Sequence, residues 1–237
     1  MTTLRYQERF KTARGVFDEH TNRILFELQS RDVFEELLSP LEVGKESNVF
    51  LAKKGAKKVI VKIYRVQNCD YRKMFDYIRK DPRYEHLKQK RRDIIFAWVQ
   101  REYRNLLKAR QAKVLAPEPL AVMDNVLVEE MIGEVNPAPR LKDARPAEAE
   151  IFFDKVIGHM QKLYDAGLIH GDLSAFNILN DDDEPYFIDF SQATLLKTPN
   201  SEELLERDVK NVIQFFRKLG ITAKAEEIIA RVKKGGA

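Results

Sequence analysis

Apolar positions along the chain change period several times, and each change predicts a different element. Between residues 4 and 38, Phe17, Ile24, Leu25, Leu28, Phe34, Leu37 and Leu38 recur at spacings near 3.6, which predicts a helical segment closed by Pro40. From Leu41 to Tyr64 the pattern becomes alternating and β-branched through Val43, Val49, Leu51, Val59, Ile60, Val61 and Ile63. The turn-like Lys53-Lys54-Gly55 interrupts it, so a hairpin or small meander is expected. Residues 88 to 112 predict a long helix with an apolar stripe of Ile94, Ile95, Trp98, Val99, Leu106 and Leu107. A strand pair follows, Leu120 to Met123 and Val126 to Met131, turning at Asp124-Asn125.

Gly133 to Pro146 holds three prolines between regular segments and reads as a linker. Beyond it, residues 147 to 166 predict a helix, 168 to 179 a loop leading into a strand, 186 to 189 a second strand, and 201 to 233 mostly helix. The expected class is α+β with two lobes. Residues 1–40 form a helical leader and 41–132 a β-rich first lobe carrying an inserted segment, 65–92. Residues 133–146 form the hinge and 147–237 a helix-rich second lobe. There is no internal repeat or low-complexity tract.

With 44% hydrophobic and 33% charged residues in 237, the chain can bury a substantial core, which excludes a disordered class. The single cysteine, Cys69, excludes an internal disulfide and points to a reducing, cytoplasmic setting. The N-terminal stretch is charged throughout, and nothing approaches the ~20 apolar residues of a membrane span, so neither export nor membrane insertion is expected. The formal charge of +4 is mild, but residues 65 to 104 carry a net +6. Tyr71, Phe75, Tyr77 and Tyr84 are interleaved with that charge. The composition suits RNA phosphates and bases, and equally a solvated insertion beside one face of the long helix.

The sharpest chemical signal runs from Leu168 through His170-Gly171-Asp172 to Asn177-Ile178-Leu179, followed by Tyr186-Phe187-Ile188-Asp189. An Asp, an Asn five residues later, and a second Asp ending the next apolar strand form a set that phosphoryl transfer can use. One carboxylate orients a nucleophile, while the amide and the second carboxylate hold Mg²⁺ against phosphates. Lys62, in the apolar strand Val59 to Tyr64, is the candidate phosphate contact. Glu102 lies seven residues from Ile95, three from Val99 and four from Leu106, on the apolar face of its helix, where an ion pair with Lys62 would offset its burial. The loop Glu42 to Phe50 offers the Ser47 hydroxyl, the Asn48 amide and backbone N–H groups to phosphate oxygens, and Lys45 and Val49 are counted with it in the nucleotide site. The acidic run Asp181 to Glu184 reads as a hairpin turn, and His170 as a structural loop residue. Asp208 is either an acceptor for the His170 loop or a surface ion-pair partner.

These phrases resemble the RIO family of atypical protein kinases over nearly the whole chain. The similarity spans Gly44 to Val49, Val61 to Tyr64, Arg101 to Leu106, Pro139 to Asp143, His170 to Leu179 and Ile188 to Gln192. Phe17 to Thr21, Pro139 to Asp143 and a short leader favour the first RIO branch, while Ser47 and Phe190 lean toward the second. The resemblance implies a protein-kinase-like fold, Asp172 as catalytic base, and Asn177 and Asp189 as metal ligands. It also implies Lys62 at the α/β-phosphates, Glu130 and Ile132 offering backbone groups to adenine, and an aspartyl-phosphate on Asp189.

The implied cofactors are ATP and Mg²⁺, with Mn²⁺ able to substitute. The implied role is maturation of the small ribosomal subunit, with ATP hydrolysis as a release switch. The expected partners are that pre-ribosomal particle and its RNA, bound by a monomer or weak dimer. Only 48 residues follow Asp189 in the sequence and no Ala-Pro-Glu segment occurs among them, so the usual activation segment and peptide-docking helices are not expected. Two other classes remain open: a small-molecule phosphotransferase of the aminoglycoside or choline kinase type, and an assembly factor that binds nucleotide as a non-catalytic latch.

Overall fold

A computed structural model describes residues 17–67 and 69–234. Helix α1, Glu19–Ser30, starts at Asp18, whose side chain accepts the Thr21 N–H at 2.8 Å. It ends at Arg31, and Asp32 follows with φ 56°. The helix predicted over residues 4 to 38 is therefore too long. Residues 4 to 16 lie outside the described set, and Glu36–Val43 form strand β1 rather than helix. Six of the eight β1 residues are exposed, so no buried face writes a period of two into the sequence. Pro40 is tolerated because β1 is an edge strand, where a missing N–H need not break a ladder.

Strands β2, Ser47–Lys54, and β3, Lys57–Tyr64, form a hairpin turning at Gly55, whose φ of +60° suits a residue without Cβ. With β4, Pro119–Met123, and β5, Val126–Glu130, they build an antiparallel five-stranded sheet in the order β1-β2-β3-β5-β4. Alternation divides β3. Val59, Val61 and Ile63 pack with Val126, Val128 and the α1 residues Ile24, Leu25 and Leu28, while Ile60 and Lys62 line a cleft.

The segment expected as a basic insertion carries helix α2, Tyr71–Ile78, and a 3-10 turn, Pro82–Tyr84, before the long helix α3, Arg91–Gln111. Met74, Ile78 and Asp81 are buried, so the segment is packed down rather than solvated. Tyr71, Phe75, Tyr77 and Tyr84 lie partly buried against the same core, and Tyr77 meets the Trp98 ring at 6.1 Å. Their aromatic faces support the fold more than they display a stacking surface.

In the helix-rich half, helix α4 spans Ala149–Asp165 and is followed by short strands β6, Leu168–Ile169, β7, Ile178–Asp181, β8, Glu184–Phe187, and β9, Thr194–Leu195. The second of the expected strands, 186 to 189, is thus Glu184–Phe187, and Asp189 stands beyond its end. Asp182 and Asp183 form the β7–β8 turn with φ of 49° and 62°. Helices α5, Ser201–Arg217, and α6, Ala225–Lys233, complete the half, separated at Gly220 rather than continuous. Among the described residues no helix is long and apolar enough to cross a membrane.

Candidate active site

A cleft of about 940 Å³ is lined by residues of the sheet, the 133–146 segment and the helix-rich half. Lys45, Ser47, Val49, Lys62, Glu130, Ile132, Asp172, Asn177 and Asp189 all line it. Glu102 stands behind Lys62 on α3. Val49 and Ile60 from the sheet, with Ile132, Leu179 and Ile188, give the cleft apolar walls.

Register places Lys62 opposite Val49 on β2 and Leu127 on β5, at the centre of the sheet. Its Nζ donates to Glu102 Oε1 at 2.7 Å, and Glu102 is fully buried on α3. The Tyr64 hydroxyl donates to the other Glu102 oxygen. Burial alone would discharge Lys62, but Glu102, Glu129 and Asp189 outweigh it and raise its pKa, so the ammonium stays charged.

The loop after β6 is held from below by α5. Asp208, 1% exposed, accepts the Gly171 N–H at 2.7 Å and the Leu173 N–H at 2.8 Å. Of the two roles open to Asp208 in the sequence, the structure shows the loop acceptor. Arg207 donates to the Gly171 carbonyl, and Asn211 Nδ2 to that of Leu173 at 3.1 Å. Gly171 has φ +76°, and a Cβ there would meet the Gln192 carbonyl oxygen at 2.9 Å, so only glycine fits. His170 packs on Phe190 with ring centroids 4.8 Å apart, its Nε2 3.0 Å from the Ile188 carbonyl oxygen. Burial depresses its pKa to about 4, which keeps it neutral.

Asn177 Nδ2 donates to the Asp172 carbonyl at 2.9 Å and reaches its Oδ2 at 3.4 Å. With Nδ2 committed to the loop, Oδ1 is the Asn177 atom that can meet a cation. Burial, reinforced by Asp189, raises the Asp172 pKa. Asp189 sits at φ 63° and ψ 70°, a left-handed conformation costing about 1–3 kcal/mol outside glycine. Its Oδ1 accepts from Ser191 Oγ at 2.7 Å. Burial pushes Asp189 up, yet Lys62 and Ser191 prevail and hold it below its usual value, so it is anionic. Among the described residues no three His, Cys, Asp or Glu side chains group closely enough to hold a metal alone. Asn177 and Asp189 instead present hard oxygens to the cleft, a donor type that could serve a cation able to fill the rest of its shell from elsewhere.

Four contributors were not legible in the sequence. Glu129, 4% exposed, lies 3.7 Å from Lys62, and burial, aided by Glu102 and Asp189, pushes its pKa up to about 7. Its signal was a carboxylate at the end of an apolar strand. Gln192 donates to Asp172 Oδ2 at 3.2 Å. Arg101 donates to the Ser191 carbonyl at 2.7 Å, and Asn105 to those of Phe190 and Ala193 at 3.0 and 2.7 Å, so α3 grips the turn after Asp189. Nothing in their local sequence distinguishes these two residues from other polar residues on a helix.

The chain matches the RIO domain over residues 48–228. It belongs to the RIO family. It is 42% identical over 226 residues to the RIO-type serine/threonine-protein kinase Rio1 of Methanocaldococcus jannaschii, covering 94% of this chain and 78% of that protein. It is 39% identical to the Rio1 of Haloferax volcanii, again covering 95% and 78%. The chain is thus a member of a family of serine/threonine kinases, and its Rio1 relatives agree with the first RIO branch. Its fold is similar to that of Rio2 from Chaetomium thermophilum, solved as an ADP/Mg²⁺-phosphoaspartate complex, with a TM-score of 0.68 at 23% identity. That match covers 90% of this chain and 66% of the other. The two-lobed, kinase-like RIO fold expected from the sequence is therefore present.

Proposed function

We propose that the chain binds ATP with Mg²⁺ in this cleft and transfers or hydrolyses the terminal phosphoryl group. One observation carries the proposal. The charged Lys62, paired with Glu102, faces the same cleft as Asp172, Asn177 and Asp189. Lys62 and the Gly44 to Val49 loop, including Lys45 and Ser47, would meet the phosphates. The apolar walls suit a base, with backbone groups of Glu130 and Ile132 at its edge.

Mg²⁺, or Mn²⁺ with the same preference for hard oxygens, would be held by Asn177 Oδ1 and Asp189 and would neutralise charge on the phosphates. Asp172, its pKa raised by burial, has the environment of a general base that orients a hydroxyl or water. In the related Rio2 complex an aspartate is phosphorylated. Here attack by an Asp189 carboxylate oxygen on the γ-phosphorus would form an acyl phosphate while the bond to the ADP oxygen breaks. Water would later release phosphate and restore the carboxylate.

The setting implied by the RIO resemblance, maturation of the small ribosomal subunit in the cytoplasm with RNA along residues 65–104, belongs to the same proposal. The test is Mg²⁺-dependent release of phosphate from γ-labelled ATP, with protein-bound label counted, for wild type, Asp172→Ala and Asp189→Ala. Turnover or labelling in wild type that both variants lose supports phosphoryl transfer. Binding of ATP with all three proteins equally inert favours the non-catalytic latch.

A further inference from the structure

Strand β5 reads Val126-Leu127-Val128-Glu129-Glu130. Val126 and Val128 pack toward α1, while Leu127 belongs to the core on the α3 side. Alternation puts Glu129 on the face of Leu127, at a position where an apolar side chain would be expected. Its register partner is Ile60, two residues before Lys62, and Glu129, Ile60 and Lys62 all line the cleft while Leu127 does not. Glu129 is 4% exposed. Its Oε1 stands 3.7 Å from Lys62 Nζ, beyond hydrogen-bond distance, because Lys62 is bonded to Glu102 at 2.7 Å. Its Oε2 is shielded from water and has no hydrogen-bond partner among the described residues.

Two carboxylates therefore share one ammonium in a cleft assigned to a polyanion, which is costly unless something else brings a donor. The carboxylate stands 3.7 Å from Lys62, assigned to phosphates, on the residue just before Glu130, which with Ile132 is assigned to the base. We propose that Glu129 selects the base of the nucleotide by accepting a hydrogen bond from an exocyclic amino group at the purine 6-position. Adenine offers that N–H. Guanine would turn a keto oxygen toward the carboxylate, setting two acceptors against each other. The inference rests on the cleft being a nucleotide site. The competing role, a second counter-ion for Lys62, would act through the phosphates and treat both bases alike.

The test measures equilibrium binding of Mg²⁺-ATP, Mg²⁺-GTP and N6,N6-dimethyl-ATP at pH 8 to wild type, Glu129→Gln and Glu129→Met. At that pH Glu129, with its value of about 7, is ionised. Wild type is expected to prefer ATP over GTP and over the dimethyl analogue by roughly tenfold or more, and both variants to lose most of that preference. Glu129→Gln keeps the shape of the side chain, so the test stands even where Glu129→Met does not fold. If the variants shift ATP and GTP affinity together with the ratio unchanged, base selection is overturned while the nucleotide site stands. If wild type binds no nucleotide, the reading of the cleft falls and takes this inference with it.

Discussion

Lys62 and Glu102 meet at 2.7 Å with 10% and 0% of their side chains exposed, so neither has water to fall back on. Removing one partner of such a pair strands the other charge. Glu102→Ala is expected to lower unfolding free energy by about 3 kcal/mol, measured by urea denaturation, and to cut kcat/KM for ATP turnover. Glu129 nearby softens the loss but is too far away to replace the hydrogen bond.

His170 supplies a residue-scale pH prediction. Its folded value of about 4 is below the 6.5 of a free histidine, so its contribution is present above pH 6.5 and is lost as pH falls through 4. The full loss is about 3 kcal/mol. Asp208 and Glu129, pushed up to about 7 by burial, act in the opposite sense: their contribution is present below the free carboxylate value and fades as pH rises through 7. The comparison of wild type with His170→Phe separates the two. The decline in stability from pH 6.5 to 4 should be smaller in the variant by up to that amount, and equal declines would refute the assignment.

Among elements, α3 and α5 do the positioning. Asp81, just beyond α2, sits fully buried between Arg83 and Arg101, accepting from Arg83 at 2.6 Å and from Arg101 at 3.2 Å. Arg101 in turn holds the Ser191 carbonyl, two residues beyond Asp189. The basic segment is thus tied to the turn that carries Asp189 by one buried network. Asp81→Ala leaves Arg101 buried without its anion, with an expected cost of about 3 kcal/mol. Hydrogen exchange at residues 189–193 should quicken in that variant, and an unchanged exchange pattern would show that the network does not hold the turn.

Helix α5 acts in the same way through Asp208. Asparagine there accepts at one oxygen and turns an NH₂ toward the second backbone N–H. Asp208→Asn should therefore reduce kcat by roughly tenfold or more, with a smaller change in KM, as the Asp172 loop loosens.

At the scale of the whole molecule, the cleft joins residues that are far apart in the chain, so a ligand spanning it should stabilise both halves together. Mg²⁺-ATP at about 100 times its Kd should raise stability by about 2.7 kcal/mol, visible as a rise in Tm. EDTA should remove most of that rise, because without the cation the anionic Asp189 would face the phosphates directly and repel them.

The pieces of the candidate site were legible because each is written in one short stretch. His170 to Asn177 is a loop between apolar strands, Lys62 interrupts a β-branched run, and Glu102 falls on the apolar face of a helix. Those patterns follow from the two periods of secondary structure and from the cost of burying charge, both of which act locally. Strand β1 was not legible, since an exposed edge strand has no buried face to record. Packing of the basic segment was not legible either, because composition counts Tyr77 and Asp81 without saying what covers them.

The α+β class, Lys62 on its apolar strand, the Asp172-Asn177-Asp189 set and the phrases that resemble the RIO family were all readable in the sequence itself. Only the tertiary structure decided that Arg101 and Asn105 hold the Asp189 turn, that Asp208 holds the Asp172 loop, and that Glu129 faces the cleft with an oxygen unpartnered among the described residues. Those are contacts between residues 35 to 90 positions apart, with the state of the Glu129 oxygen defined by what surrounds it, and a hydrogen bond depends on where the chain has folded, not on the residues beside it in sequence.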